Sequence, residues 1–217
     1  MAIESTKVHH RLEDFRTSLA RLSYARDLYK PRAQEEGKAP KYGCTLIFPK
    51  SAKPEFYALI KKLILATPTW GEPALKRFEN KLIKNPLLDG DGKEAHSKKT
   101  GDLHAGMGPD VFFIRPNANQ DRPPYVVWKN KNVQETETTV YSGCYVWADL
   151  TMYSYTHPKS GDGIGIGLNG ILKREEGERL GGSGGPDAEK FFETIADDGP
   201  APDSTKNGDG AGGLFGV

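Results

Sequence analysis

The feature that most constrains the fold is the run YSGCYVWADLTMYSYT at residues 141–156. Its residues alternate in character with a period of two, as the two faces of a β-strand require. One face carries only small or apolar side chains, namely Cys144, Val146, Ala148, Leu150 and Met152. We therefore predict a long strand that packs this face against a hydrophobic core.

The opposite face of this strand is rich in aromatic side chains: Tyr141, Tyr145, Trp147, Tyr153 and Tyr155. Rings with a polar tip suit a surface that accepts flat ligands yet stays wettable. Stacking a nucleic-acid base on such a ring is worth about 1–3 kcal/mol and tolerates any base. The rings could equally be cross-strand pairs that stiffen the sheet, or be covered by a helix or a second protomer. The strand by itself leaves these alternatives open.

The remaining pattern predicts a mainly β fold. Further strands are predicted at residues 14–24, 41–48, 110–115, 125–130 and 164–173. One clear helix is predicted at 54–66, where Pro54 suits the first turn and apolar residues recur at helical spacing. Residues 70–83 are a candidate for a second helix, and 187–195 for a short C-terminal one. Five or six strands without regular strand–helix alternation predict a compact barrel or a strongly curved sheet with one inserted helix.

Charge divides the chain into a basic body and an acidic tail. Residues 181–217 contain seven acids and two lysines, a net charge of −5, which leaves +6 for residues 1–180. This arrangement recurs in nucleic-acid-binding proteins, although an ordinary solvated surface with a disordered end gives the same totals. We predict a flexible N-terminus at 1–12, a folded domain at 13–195 and a flexible acidic tail at 196–217, too polar to fold alone.

Cations accompany aromatic residues in two further segments. The candidate DNA-binding residues there are Arg21, Tyr24, Arg26 and Lys30 in the first, and Trp128, Lys129 and Lys131 in the second. Rings for bases and cations for phosphates are the two components that a groove for single strands needs.

Other chemistry finds little support in the sequence. The histidines are scattered, and Cys44 and Cys144 lie singly in apolar runs, so we predict no metal site and no cofactor. No nucleophile, base or phosphate-binding motif is complete, which predicts a binding protein and not an enzyme. The chain has neither a signal-peptide profile nor an apolar run long enough to cross a bilayer, so we expect a cytoplasmic protein without membrane association.

Five segments resemble, in the same order, a family of phage-encoded single-stranded DNA-binding proteins once catalogued only as a domain of unknown function. They are RLSYARDLYKPR (21–32), KYGCTLIFPK (41–50), PLLDGDGK (86–93), YSGCYVWADLTMYSY (141–155) and GIGIGLNGILK (163–173). The resemblance spans about residues 12–195. It implies an OB-fold barrel that binds single-stranded DNA without reading its sequence, during phage replication or recombination in the host cytoplasm.

The resemblance also implies that the flexible tail recruits replication or recombination enzymes. The residues that would dock them are Asp197, Asp198, Asp203, Asp209 and Phe215. Two other functions stay open: a phage structural or assembly protein with its aromatic face buried between protomers, and a nuclease. The missing carboxylate–metal cluster argues against a nuclease. The sequence leaves the oligomeric state undecided.

Overall fold

The structure is a computed structural model that describes residues 6–33, 37–134 and 139–180. Its centre is an antiparallel pair of long strands, β11 (Tyr145–His157) and β12 (Gly161–Glu175). The predicted strand at 141–156 is confirmed over most of its length, and β12 extends beyond the predicted 164–173 at both ends. Burial alternates strictly along β11 from Tyr145 to Ser154, which confirms its two faces.

Ten shorter strands complete a single twelve-stranded sheet. They are β1 (Lys7–Arg11), β2 (Phe15–Arg16), β3 (Ala20–Ser23), β4 (Lys41–Gly43), β5 (Thr45–Pro49), β6 (Leu88–Asp89), β7 (Val111–Ile114), β8 (Asn117–Asn119), β9 (Tyr125–Trp128) and β10 (Lys131–Asn132). The main path runs β10-β9-β12-β11-β3-β5-β7-β6, with β1 and β2 also paired to β11, and β8 paired to both β4 and β12. Strands β8 and β9 run parallel to β12, whereas the other pairs are antiparallel.

The mainly β fold class is therefore confirmed, but the predicted number of five to six strands is wrong. Two predicted strands are each split. The first is interrupted at residues 17–19, although both of its parts pair with β11. The second is split at Cys44, where the chain changes from pairing with β8 to pairing with β3 and β7. The sheet path ends at β10 and β6, so the described residues do not form a closed barrel.

The N-terminal segment also differs from the prediction. Residues 7–11, expected to be flexible, form β1 and pair with β11 from Thr156 to Tyr153. A polar strand can add to a sheet edge because the ladder is made by backbone groups, which every non-proline residue carries.

Two helices cover the sheet, α1 (Lys53–Ala66) and α2 (Pro73–Glu79). The first confirms the predicted helix, with Phe56, Ile60, Leu63 and Ile64 buried. The second helix lies inside residues 70–83, the segment that was a candidate for a second helix. The fold therefore has two α-helices where the predicted barrel had one inserted helix. The core joins α1 to the inner face of β11, whose apolar residues Val146, Ala148, Leu150 and Met152 are fully buried, as is Cys144 just before the strand. Within the described residues no helix is long and apolar enough to cross a membrane. The predicted C-terminal helix at 187–195 and the acidic tail lie outside the described residues.

Candidate nucleic-acid interface

The outer face of β11 is half-buried along its length. It presents Tyr145, Trp147, Asp149, Thr151, Tyr153 and Tyr155. The neighbouring strands determine which of these side chains can meet a ligand.

Two of the predicted tyrosines lie over glycines of β12. Tyr153 pairs with Gly165, and Tyr155 with Gly163. A Cβ atom built on Gly165 would lie 2.6 Å from Cε2 and Oη of Tyr153, and one on Gly163 would lie 2.5 Å from Cζ and Oη of Tyr155. Only glycine leaves room for rings this close to a strand backbone. The ring centroids are 6.1 Å apart. The glycines thus let each ring rest on the sheet, where it forms part of an open surface.

A third tyrosine makes the same kind of contact and was missed from the sequence. Tyr125, in β9, pairs with Gly170 of β12, and a Cβ atom there would overlap its ring. Tyr125 is 46% exposed. Glycines alternate at positions 163, 165 and 167, around the start of the strand predicted at 164–173, and this pattern could have indicated rings lying over that strand.

These three tyrosines line one open groove of about 1690 Å³. Strand β12 forms part of the floor of this groove through Gly165 and Gly167. Seven cationic side chains also line it: Arg11, Lys38, Lys41, Lys84, Arg115, Arg122 and Lys159. Two carboxylates, Asp14 and Asp149, oppose them, so the groove has a clear positive excess. None of the seven cations was a predicted site residue, because they come from distant parts of the chain and are brought together only by the fold.

A polar cluster occupies the floor between the rings. Tyr125 Oη donates a hydrogen bond to Asp149 Oδ2 at 2.6 Å, and Asn169 Nδ2 donates to Asp149 Oδ1 at 3.2 Å. Thr151 donates its hydroxyl to Asp14. Burial, followed by the hydrogen bond to Asp149 and the charge of Asp149, raises the pKa of Tyr125 to about 12. Burial also raises the pKa of Tyr153 and of Tyr155. The three phenols are therefore neutral at physiological pH, which suits stacking beside phosphates.

Trp147 and Tyr145 continue along the same face but do not line the groove. The Trp147 ring is contacted by two guanidinium groups, with the Cζ of Arg16 at 4.4 Å and that of Arg174 at 4.0 Å from the ring centroid. Tyr145 is half-buried and pairs with Arg21 of β3.

Tyr141 and Trp128 have a structural role that the sequence did not predict. Both rings lie 4.9 Å from the ammonium of Lys173, whose side chain is only 1% exposed. This ammonium also donates hydrogen bonds of 2.6 Å to the Thr139 carbonyl and to Glu176 Oε1. Tyr141 Oη donates to Glu176 Oε2 at 2.7 Å. The two rings enclose a buried cation of the protein itself, and neither lines the groove.

The predicted cations also lie away from the groove. Arg21 donates to the Glu178 carbonyl at 2.9 Å, and Lys129 contacts the Trp128 ring at 5.4 Å. Tyr24 is exposed and meets His104 edge-on, with ring centroids 6.2 Å apart. Arg26, Lys30 and Lys131 are exposed. Of the twelve predicted DNA-binding residues, the groove contains Tyr153 and Tyr155. The proposed docking residues Asp197, Asp198, Asp203, Asp209 and Phe215 lie outside the described residues.

Across the described residues, no group of three or more His, Cys, Asp or Glu side chains is arranged to hold a metal ion. The structure therefore offers one candidate interface, built from neutral rings on a glycine-rich strand and from converging cations.

Comparison with known proteins identifies the family. The family model described as Enterobacter phage Enc34, ssDNA-binding protein matches residues 14–201. The chain belongs to this family. Membership confirms the resemblance drawn from the sequence and the predicted class of protein, a DNA-binding protein and not an enzyme.

Two relatives of this chain illustrate the likeness. The putative protein p50 of Acyrthosiphon pisum secondary endosymbiont phage 1 is 27% identical over 172 residues, which cover 76% of this chain and 85% of p50. The single-stranded DNA-binding protein from bacteriophage Enc34, solved in complex with ssDNA, superposes with a TM-score of 0.58 at 23% identity, covering 77% of this chain and 89% of that one. A C-terminal truncation of the same protein gives a TM-score of 0.55 at 21% identity, covering 82% and 96%. At these identities the structures support the shared OB-like fold.

Proposed function

We propose that this protein binds single-stranded DNA in the groove of Tyr125, Tyr153 and Tyr155, without reading its sequence. The observation that carries the proposal is the packing of these rings on glycines of β12, at the floor of a groove lined by seven cations. Unpaired bases can stack on the rings whatever their identity, since every base has a π-face. The cations neutralise the phosphates of the same strand.

The arrangement favours single strands over duplex DNA. Bases in a duplex are stacked on one another, so their faces are not accessible to tyrosine rings unless a base is extruded at a cost of a few kcal/mol. The carboxylates Asp14 and Asp149 lie on the floor of the groove and repel phosphate there. This charge distribution supports a path in which the bases face the floor and the backbone follows the cations.

Binding of labelled oligo-dT, duplex DNA and RNA at several salt concentrations tests the proposal. Each phosphate contact on a single strand contributes about −0.7 to the slope of log K against log salt, so seven contacts would give roughly −5. Equal affinity for single-stranded and duplex DNA would contradict the proposal.

A matched pair of variants assigns the binding to the groove. The double variant Lys84→Gln/Arg122→Gln removes two groove cations, and we expect the slope to become shallower by about 1.4. The control Lys61→Gln/Lys62→Gln removes the same charge from exposed positions on α1, outside the groove. If both pairs change the slope equally, a general charge effect and not the groove accounts for binding.

We further propose that the protein protects single strands during phage replication or recombination in the host bacterial cytoplasm. In this proposal Asp197, Asp198, Asp203, Asp209 and Phe215 recruit replication or recombination enzymes through the C-terminal tail. The net charge of −5 after residue 180 supports it, because such a segment is attracted to basic surfaces. The alternative of an assembly protein has less support, because Tyr125, Tyr153 and Tyr155 line an open groove together with seven cations, a combination that suits an anionic strand better than the face of a second protomer.

A further inference from the structure

Trp147 lies between arginines from the two strands that flank β11. Arg16 belongs to β2, which pairs with β11 at Asp149, and Arg174 belongs to β12 on the other side. Their guanidinium carbons lie 4.4 Å and 4.0 Å from the centroid of the indole ring. A base could stack on this ring only where a guanidinium does not already cover it. Trp147 is therefore poorly suited to act as a platform for bases.

The two guanidinium groups are available for a ligand. Both arginines are exposed, and among the described residues neither forms an ion pair with a carboxylate. A guanidinium that lies on an aromatic ring keeps its five N–H donors in its own plane, where they can bind an anion through paired hydrogen bonds. Phosphate is an anion that matches this fork geometry.

The position of the pair connects it to the groove. Trp147 lies two residues from Asp149 on the same face of β11, and Asp149 lines the groove. A strand that leaves the groove in this direction would bring its backbone to the two arginines. Stacking on Trp147 restricts their side chains before the strand arrives, which lowers the entropy lost on binding.

We propose that Arg16 and Arg174 form a phosphate-binding clamp at the end of the groove, with Trp147 as the positioning residue that holds both guanidinium groups. The inference rests on the proposed binding of single-stranded DNA. It differs from a stacking role for Trp147, because the ligand is the phosphate backbone and the bases are not needed.

Oligonucleotides with and without bases test the clamp. Affinities of the full chain are measured for oligo-dT and for an oligomer of the same length in which abasic sites replace the central nucleotides. We expect Trp147→Leu to weaken both by a similar factor of roughly tenfold, the loss typical of one charge-assisted contact. The salt slope should also become shallower by about 0.7–1.4, corresponding to one or two phosphates.

Three further variants complete the test. Arg16→Gln/Arg174→Gln, at exposed positions, should reproduce the change in slope, and adding Trp147→Leu to it should cause little further loss. Tyr153→Leu should weaken binding of oligo-dT and leave the abasic oligomer unaffected. A Trp147→Leu loss confined to oligo-dT with an unchanged salt slope would overturn the clamp in favour of stacking, and wild-type binding by the arginine variant would overturn it outright. A wild-type protein that does not bind oligo-dT would refute the proposed function itself.

Discussion

Replacing Gly165 by alanine should remove the Tyr153 platform without removing any side chain from the groove. The new Cβ atom would lie closest to Cζ of Tyr153 and 2.6 Å from its Cε2 and Oη, which places it at least about 0.8 Å inside the ordinary contact distance of 3.4 Å. The backbone of Gly165 pairs with β11, and on the other side Gly163 and Gly167 bridge to Lys84 and Asn117. The ring, by contrast, can rotate about two side-chain bonds. We therefore expect the ring to move off the strand and the backbone to remain in place.

Gly165→Ala should weaken DNA binding much more than it changes the stability of the fold. Loss of one stacked base is worth about 1–3 kcal/mol, which corresponds to a Kd about 5- to 150-fold weaker for every homopolymer. Stability should change little, because replacing glycine in a strand interior recovers about 0.5–1 kcal/mol that offsets part of the lost ring packing. Fluorescence anisotropy with labelled oligo-dT and oligo-dA measures the first effect, and urea unfolding measures the second.

Gly167→Ala is the matched control on the same face of the same strand. Its Cβ atom would lie 3.6 Å from the Thr151 carbonyl oxygen and 3.7 Å from Thr151 Cβ, which are ordinary contacts. Gly167 also lies in the groove floor, but a methyl group there displaces no ring, so we expect a clearly smaller loss of affinity than for Gly165→Ala. The reasoning is refuted if Gly165→Ala binds as tightly as Gly167→Ala, or if both variants lose affinity equally.

Three further predictions concern the groups around the groove and the buried lysine. Asp149→Asn should lower the pKa of Tyr125 from about 12 towards the ordinary value of 10, because it removes the charge of Asp149 and weakens the hydrogen bond, while the burial of Tyr125 remains. An ultraviolet titration of the variant that still gives about 12 would be inconsistent with this. Hydrogen bonds from Lys173 and Tyr141 lower the pKa of Glu176 below its usual 4.5, so its contribution to stability is present above pH 4.5 and is lost as the pH falls through the lowered pKa. Glu176→Gln should flatten the dependence of Tm on pH in that acidic range, and an unchanged profile would argue against the ion pair. Lys173→Met should destabilise the fold by about 1–3 kcal/mol in urea unfolding, because the Thr139 carbonyl loses its donor, and unchanged stability would show that the buried ammonium contributes nothing net.

The sequence revealed the parts of the interface that depend on local periodicity. The two faces of β11 follow from alternation alone, so the buried set from Val146 to Met152 and the outward Tyr153 and Tyr155 were predictable. The cations were chosen from the sequence by their local density, and the predicted ones do not line the groove. Arginines close in sequence between residues 21 and 32 follow a chain that turns away from the groove, and sequence proximity does not make side chains converge.

The remainder of the interface depends on strand pairing between distant segments. Gly165 lies beside Tyr153, and Gly170 beside Tyr125, because of the registers of β12 with β11 and with β9. A shift of one residue would turn every side chain to the other face. The groove cations extend from Arg11 to Lys159 in the chain, so their convergence required the fold.

Photo-crosslinking tests the central claim most directly. An oligonucleotide carrying 5-iodouracil reports which aromatic ring lies against a base, and mass spectrometry of the digested complex locates the linked residue. We expect crosslinks at Tyr153, Tyr155 or Tyr125, and we expect Gly165→Ala to remove the one at Tyr153. Crosslinks that fall only on residues outside the groove, with Tyr153 and Tyr155 unmodified, would contradict the account.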